Sequence, residues 1–127
     1  MTYKVLIVDD SKLARMSVAK ALSGLQPTWV RLEASNADEA VAMVAQQQPD
    51  IVLLDFNMPG RDGLALAADL SAKRPDMPIA VVSANIQDEI VARARAIGAA
   101  FLPKPLTSAA LAEFLDTAQA RLRPAAT

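Results

Sequence analysis

Five short apolar segments alternate along this chain with longer stretches in which apolar residues recur at helical spacing. The short segments lie at 3–8, 29–34, 50–55, 79–83 and 100–103. Alternation of this kind is typical of repeated strand–helix units that surround a mostly parallel sheet. The pattern therefore predicts an α/β domain with five strands and five helices.

The predicted strands differ in how they alternate between apolar and polar residues. The segments that end at Asp9, Asp55 and Ser83 are apolar almost throughout, as is typical of central strands covered by helices on both faces. The segment at 29–34, WVRLEA, instead carries the charged residues Arg31 and Glu33 at alternate positions. We therefore expect it to form an edge strand.

The last two predicted helices have the clearest stripes. The final one, at 107–122, has apolar residues at i, i+3, i+4, i+7 and i+11, namely Leu111, Phe114, Leu115, Ala118 and Leu122. The helix before it, at about 86–97, carries the stripe Ile86, Ile90, Ala94 and Ile97. Pro124 is predicted to end the final helix and to leave a frayed tail at 123–127.

The composition fits one compact domain over 1–127, with an ordered core at about 3–122. The chain has 127 residues, of which 53% are hydrophobic, and this is enough to bury a single core. No linker or low-complexity stretch is long enough to divide it. The apolar run before Asp9 is too short for a signal sequence or a membrane span, so we expect a cytoplasmic protein.

Charge and the missing residue types narrow the possible functions. The 13 basic and 14 acidic side chains give a formal net charge of −1, with no long block of either sign. This balance argues against binding to nucleic acid or to an anionic membrane. The chain contains no cysteine and no histidine, which excludes disulfides, thiol nucleophiles, imidazole bases and the usual zinc ligand sets. Any chemistry must come from carboxylates, hydroxyls or amines.

Polar residues follow four of the predicted strands, at the point where each ends. They are Asp9 and Asp10, Asp55, Ser83, and Lys104. Because the carboxyl ends of parallel strands share one edge of a sheet, where such folds bind ligands, we expect these side chains to lie together. Carboxylate oxygens, a hydroxyl and one ammonium group suit a divalent metal and a phosphoryl group.

Each of these residues also has an ordinary structural interpretation. Asp9 or Asp10 could cap the helix that begins around Ser11 or Lys12, although two adjacent carboxylates repel unless they share a cation. Asp55 could simply open the turn after its strand, or it could be a nucleophile that forms an aspartyl phosphate.

Ser83 and Lys104 have common structural roles as well. Ser83 could cap the helix predicted near Ile86, and Lys104 could be a solvated surface residue. Gly63 and Gly98 are interpreted as backbone residues of a turn and of a helix end. Arg93 and Arg95 are expected on the exposed face of the fourth helix.

Four motifs in order resemble the receiver domain of bacterial two-component response regulators. They are VDDS at 8–11, LLDFNMPGRDG at 53–63, VVSAN at 81–85 and LPKPL at 102–106. The resemblance covers Lys4 to about Leu122 and is closest to stand-alone, chemotaxis-type single-domain receivers. It implies a doubly wound, flavodoxin-like sheet with strand order 2-1-3-4-5.

The resemblance also implies roles for individual residues. Asp55 would accept a phosphoryl group from a histidine kinase or a small phosphodonor, while Ser83 and Lys104 contact that group. Ser83 and Phe101 would form the conformational switch. Mg²⁺ would be held by Asp9, Asp10, Asp55 and the backbone carbonyl of Asn57.

The implied function is a phosphorylation-activated signalling module in a phosphorelay or a chemotaxis-like pathway. Its partners would be a sensor histidine kinase or phosphotransfer protein and a downstream protein bound in trans through the 86–122 face. It would phosphorylate and dephosphorylate only itself, act on no external metabolic substrate, and exist as a monomer or as a weak dimer on phosphorylation.

Three other functions share parts of this pattern. A phosphorylation-independent, receiver-like scaffold is disfavoured by the complete set of polar residues at the strand ends. A Mg²⁺-dependent phosphatase of the haloacid dehalogenase type would carry a D-x-D pattern after the first strand, whereas Asp9 and Asp10 are adjacent. An FMN carrier of the flavodoxin type would need a glycine- and hydroxyl-rich phosphate loop in place of DDSKLAR.

Overall fold

The computed structural model describes residues 2–58, 62–84 and 87–122, and within them strands and helices alternate. The elements are β1 (Lys4–Val8), α1 (Lys12–Leu25), β2 (Val30–Ala34), α2 (Ala37–Gln47), β3 (Ile51–Asp55), α3 (Gly63–Lys73), β4 (Ile79–Ser83), α4 (Asp88–Ala96), β5 (Ala100–Pro103) and α5 (Ser108–Leu122). The predicted alternation of strands and helices is confirmed.

The strands form one parallel sheet in the order β2-β1-β3-β4-β5. Val5 in β1 pairs with Arg31 of β2 on one side and with Ile51 of β3 on the other. The strand order implied by the resemblance is therefore confirmed, and β2, the strand with alternating charges, lies at an edge. All five strand carboxyl ends lie along the same side of the sheet, here called the carboxyl edge, and the opposite side is the amino edge.

Each face of the sheet supports its own hydrophobic core because successive side chains of a strand point to opposite faces. The first, here called the α2–α4 core, takes Leu6 and Leu54 from the strands and packs them against α2, α3 and α4. The second, the α1–α5 core, takes Ile7 and Leu53 and packs them against α1 and α5. Full burial of one such side chain contributes about 2 kcal/mol, so the two cores hold the central strands firmly.

Polar caps determine where three helices begin near the carboxyl edge. The side chains of Ser11, Asn36 and Asp62 accept hydrogen bonds from backbone N–H groups at the starts of α1, α2 and α3, at 3.2, 2.8 and 2.7 Å. These bonds satisfy N–H groups that have no partner inside the helix. Neither Asp9 nor Asp10 is therefore the N-cap of α1, which was the alternative to metal binding.

The fourth helix is shorter than the sequence pattern predicts. α4 covers Asp88–Ala96, with Gln87 as its N-cap. It ends before Ile97 because Gly98 adopts a φ of 75° and its N–H bonds to the carbonyl of Arg95 at 3.0 Å. Ile86, at the predicted start, lies outside the described residues, as does the predicted tail at 123–127.

Among the described residues, no helix is long and apolar enough to cross a membrane.

Trp29 and Tyr3 lie at the amino edge, where their rings meet edge to face with centroids 5.1 Å apart.

Gly98 and Gly24 form a matched pair for testing the backbone. At either position an added Cβ would meet no atom of the described residues within 4 Å, but of the two glycines only Gly98 has a positive φ. We expect Gly98→Ala to lower the free energy of unfolding by about 1 kcal/mol, because alanine is strained in the left-handed region. Gly24→Ala, in the last turn of α1, should raise it by roughly 0.5 kcal/mol because alanine favours the helix.

Urea denaturation of both variants beside the parent chain measures the two differences. Equal changes of the same sign in both variants would contradict the assignment of Gly98 as the left-handed residue that ends α4.

Candidate functional site

Three carboxylates meet at the carboxyl edge of the sheet. Asp9 and Asp10 directly follow β1, and Asp55 is the last residue of the neighbouring strand β3. One carboxylate oxygen from each lies within 4.8 Å of the others. Asp9 and Asp55 are buried, at 7% and 5% exposure, whereas Asp10 is exposed. The cluster is therefore fixed by the scaffold on one side and open to solvent on the other.

Lys104 contacts the acceptor candidate directly. Its Nζ atom lies 2.8 Å from Oδ1 of Asp55, and its side chain is 36% exposed. The N–H of Lys104 donates to the carbonyl of Ser83 at 3.0 Å, which holds this residue at the carboxyl edge. The peptide bond between Lys104 and Pro105 is cis. The alternative in which Lys104 is only a solvated surface residue is therefore wrong.

Oδ1 of Asp55 is buried and accepts no hydrogen bond from the residues that the structure describes. The ammonium group of Lys104 lies close enough to pair its charge with this oxygen. One ammonium group does not balance three carboxylates, so the cluster can still accept a metal cation. The oxygen ligands of Asp9, Asp10 and Asp55 and their separation fit Mg²⁺, which prefers carboxylates and keeps part of its water shell.

Burial raises the pKa of the Asp9 carboxyl group above its ordinary value. The neighbouring charges of Asp55 and Asp10 act in the same direction, while a hydrogen bond from the N–H of Ser11 and the charge of Lys104 partly oppose the rise. Keeping Asp9 ionised in the folded protein therefore lowers the free energy of unfolding.

Two contacts hold the segment that carries Asp9. The N–H of Ser11 donates to Oδ1 of Asp9 at 2.9 Å, and Nη1 of Arg15 donates to the backbone carbonyl of Asp9 at 2.6 Å. Nε of Arg15 also pairs with Glu33 of β2 at 3.0 Å. Arg15 thereby connects α1, β2 and the acidic cluster. No sequence pattern singles out Arg15, although an arginine shortly after an acidic strand end is a signal that the sequence contains.

Gly63 determines how closely α3 approaches the acceptor strand. A Cβ atom at this position would collide with the backbone carbonyl of Asp55 and would lie 2.8 Å from Cα of Phe56. The N–H of Gly63 also donates to the carbonyl of Phe56 at 2.8 Å. Gly63 was expected in a turn, but it is the first residue of α3, and its role is close packing.

Ser83 and Asp55 emerge on opposite faces of the sheet. Ser83 ends β4 and is fully buried, and it lies two residues after Val81, which belongs to the α2–α4 core. Asp55 lies two residues after Leu53, which belongs to the α1–α5 core. Because side chains alternate along a strand, only a group at the carboxyl edge itself can contact both residues.

Ser83 does not cap α4, whose N-cap is Gln87. Phe101 lies on the same face as Ser83, because it pairs in register with Val81 and packs against the α2–α4 core. Asn57, two residues after Asp55, has an exposed side chain, and Arg93 and Arg95 are exposed as expected.

A cavity of about 510 Å³ adjoins the cluster. Its lining includes Asp9, Asp55 and Lys104 together with small residues of α1 such as Ala14 and Ala21. The cavity leaves room for a phosphoryl group beside Asp55.

The fold and the acidic edge together define an α/β protein of the flavodoxin-like class with a candidate divalent-metal and phosphoryl site. The family model described as the response regulator receiver domain matches residues 5–116. The chain belongs to this family, which serves signalling in two-component systems rather than metabolic catalysis.

Individual relatives agree with the family assignment. The positive alginate biosynthesis regulatory protein of Pseudomonas aeruginosa is 42% identical over 90% of this chain and 46% of its own length. The transcriptional regulatory protein PdtaR of Mycobacterium tuberculosis is 37% identical over 94% of this chain and 58% of its own length. The chain therefore spans about half the length of these curated relatives.

Solved structures share the architecture. Chemotaxis protein CheY4 of Vibrio cholerae superposes with a TM-score of 0.83 at 26% identity, over 93% of this chain and 99% of that one. A CheY-like receiver domain protein from Methanospirillum hungatei gives a TM-score of 0.86 over 95% and 97% of the two chains, and at 23% identity this likeness concerns the fold alone.

The raised pKa of Asp9 predicts that this residue destabilises the metal-free protein. Asp9→Asn removes the charge but keeps an acceptor for the N–H of Ser11, so at pH 7 without Mg²⁺ we expect the free energy of unfolding to rise by about 1 kcal/mol. A carboxyl group whose pKa is raised by folding loses its contribution to stability as the pH rises through that pKa. The difference in the free energy of unfolding between Asp9→Asn and the parent chain should therefore shrink as the pH falls below the raised pKa of Asp9, because the parent carboxyl group then becomes neutral as well.

Denaturation curves in EDTA at pH 7 and at pH 4 measure this difference. Destabilisation of Asp9→Asn at pH 7, or an advantage that grows at pH 4, would contradict the assigned environment of Asp9.

Proposed function

We propose that the protein is a phosphorylation-activated receiver in which Asp55 accepts a phosphoryl group in the presence of Mg²⁺. The observation that carries this proposal is the buried Asp55 carboxylate, whose Oδ1 atom lies 2.8 Å from Nζ of Lys104 and, within the described part of the chain, accepts no hydrogen bond. The donor is a phosphohistidine of a kinase or phosphotransfer protein, or a small phosphodonor.

The proposed transfer is a nucleophilic displacement at phosphorus. An oxygen of Asp55 forms the new P–O bond while the bond from phosphorus to the donor breaks, and the donor leaves with that electron pair. Bound Mg²⁺ would neutralise negative charge on the carboxylates and on the phosphoryl oxygens. Asp9, Asp10, Asp55 and the backbone carbonyl of Asn57 would hold it.

Lys104 and Ser83 bind the transferred group. The ammonium group of Lys104 already lies beside Asp55, so it can pair with a phosphoryl oxygen without a large movement. The hydroxyl of Ser83 donates to a second oxygen once the group is at the carboxyl edge. Water later hydrolyses the acyl phosphate, so the protein acts on no external metabolic substrate.

Movement of Ser83 transmits the event to the face that binds partners. Ser83 and Phe101 lie on the face covered by α4, and a shift of the serine toward the phosphoryl group frees space into which Phe101 turns. Because Phe101 has no hydroxyl group, the switch works through packing alone. The altered surface comprises α4, β5 and α5 and binds a protein partner in trans.

The setting is a cytoplasmic two-component pathway of the phosphorelay or chemotaxis-like type. The likeness to chemotaxis protein CheY4 supports a chemotaxis-like setting. We further propose that the protein is a monomer or dimerises weakly on phosphorylation, binds no nucleic acid and does not insert into membranes.

Intact-protein mass spectrometry tests the acceptor assignment. After incubation with acetyl phosphate and Mg²⁺, we expect one added phosphoryl group, and none after EDTA treatment. Asp55→Asn is nearly isosteric and should fold normally, as judged by circular dichroism, but should gain no mass. Labelling of Asp55→Asn, or labelling that is unchanged in EDTA, would refute the proposal. If the acyl phosphate hydrolyses before it can be measured, formation of a beryllofluoride complex, detected by ¹⁹F NMR, tests the same site with a stable phosphoryl mimic.

Arg15 should act as a positioning residue for the metal. Arg15→Met removes the bond to the carbonyl of Asp9, so we expect Mg²⁺ affinity to fall about tenfold, in line with losses seen on removal of groups that orient metal ligands. Arg15→Lys should restore part of the affinity. Glu33→Gln keeps the arginine and serves as the matched control, with at most a small change.

Calorimetric titration with Mg²⁺ measures these affinities without any phosphodonor. Unchanged affinity in a folded Arg15→Met protein would show that the arginine only stabilises the fold.

A further inference from the structure

Two basic side chains, Lys73 and Arg74, lie at the amino edge of the sheet, opposite the edge that carries the acidic cluster. Lys73 ends α3 and Arg74 is its C-cap, directly before the turn into β4. Among the described residues, neither side chain takes part in an ion pair. The mechanism proposed above makes no use of them.

Nη1 of Arg74 is buried and has no hydrogen-bond partner among the residues that the structure describes. Buried guanidinium nitrogens are nearly always bonded, because a donor that is removed from water without a partner costs about 1–3 kcal/mol. Arg74 as a whole is only half-buried, so its guanidinium group can turn toward an acceptor that a ligand brings, which would remove this cost.

Arg74 and Lys73 line an open groove of about 390 Å³, here called the α2–α3 groove. Its other wall is the C-terminal half of α2, with Val41, Val44, Ala45 and the C-cap residue Gln48. One side of the groove is thus cationic and the other largely apolar. Pockets of this size with few polar groups bind small molecules.

The charge balance favours a monoanion. Two side-chain cations face the groove, and the C-termini of α2 and α3 each contribute about half a negative charge near it. The remaining positive charge of roughly one unit matches a carboxylate, whose planar geometry also fits the guanidinium fork. A phosphate dianion would exceed that charge.

We propose that the α2–α3 groove binds a small organic carboxylate with a compact apolar part. The carboxylate accepts hydrogen bonds from Arg74 and pairs with Lys73, and the apolar part packs on Val41 and Val44. The site is separate from Asp55, so binding does not depend on the receiver chemistry proposed above.

NMR titration of the ¹⁵N-labelled chain with benzoate tests the proposal at constant ionic strength. We expect saturable amide shifts at Val41, Val44, Ala45 and Arg74, with a dissociation constant in the low millimolar range. Benzamide, which lacks the charge, and acetate, which lacks the apolar ring, should each bind at least fivefold more weakly.

Arg74→Met should weaken benzoate binding on the order of tenfold, because a charge-assisted bond is lost. Arg95→Met, on the exposed face of α4, is the matched control and should leave binding unchanged. If Arg74→Met fails to fold, Lys73→Met, at an exposed position, should still weaken binding about threefold.

Several results would overturn the proposal. They are the absence of saturable shifts in the groove, equal binding of benzamide and benzoate, unchanged affinity in both groove variants, or shifts confined to the carboxyl edge. Inorganic phosphate as a further titrant separates the carboxylate site from a general anion site, and tighter binding of phosphate than of benzoate would refute the assigned ligand class.

Discussion

Electrostatic repulsion at the carboxyl edge of the sheet is the constraint around which this molecule is built. Two unit charges about 5 Å apart near a protein surface repel by roughly 3 kcal/mol, and Asp9, Asp10 and Asp55 bring three together. Lys104 offsets one of them through its contact with Asp55. These four side chains still carry a formal charge of −2, which a divalent cation balances.

The scaffold can tolerate this charge because stability is supplied elsewhere. The central strands β1 and β3 bury apolar side chains on both faces, and the two cores together involve all of the helices described. Asp55 is the last residue of β3, and Asp9 and Asp10 directly follow β1, so the acidic residues lie where the hydrogen-bond ladder ends. Raised stability on neutralising a carboxylate is therefore the expected mark of a site kept for binding rather than for folding.

The fold was predictable because its signals are local. Continuous apolar runs distinguish the covered strands from β2, and the polar residues after them indicate the carboxyl edge before any contact is known. The motifs carried the strand order, which periodicity alone does not determine. The shorter extent of α4 was not predictable in this way, since its end depends on the conformation of Gly98 and on bonds that only the folded chain forms.

The residues that support the site were harder to predict, because their roles also depend on contacts that only the folded chain forms. Arg15 bonds to a backbone carbonyl six residues earlier and to Glu33 on another strand, so its role depends on tertiary contacts that the sequence pattern does not contain. Gly63 was visible as a glycine, but its close approach to the carbonyl of Asp55 follows from how α3 packs on β3. The unpartnered nitrogen of Arg74 likewise appears only once the side chain is placed.

Strand alternation divides the proposed function between the two faces of the sheet. Asp55 points to the face covered by α1 and α5, whereas Ser83 and Phe101 point to the face that carries α4. A phosphoryl group on Asp55 can engage Ser83 only at the carboxyl edge, where the sheet no longer separates the two sides. The backbone bond from Lys104 to Ser83 ties β5 to β4 at that point and can stay in place while the serine hydroxyl moves. The edge is thus the shortest route by which charge added on one face can alter packing on the other. This placement is consistent with the proposal that the switch residues are Ser83 on β4 and Phe101 on β5.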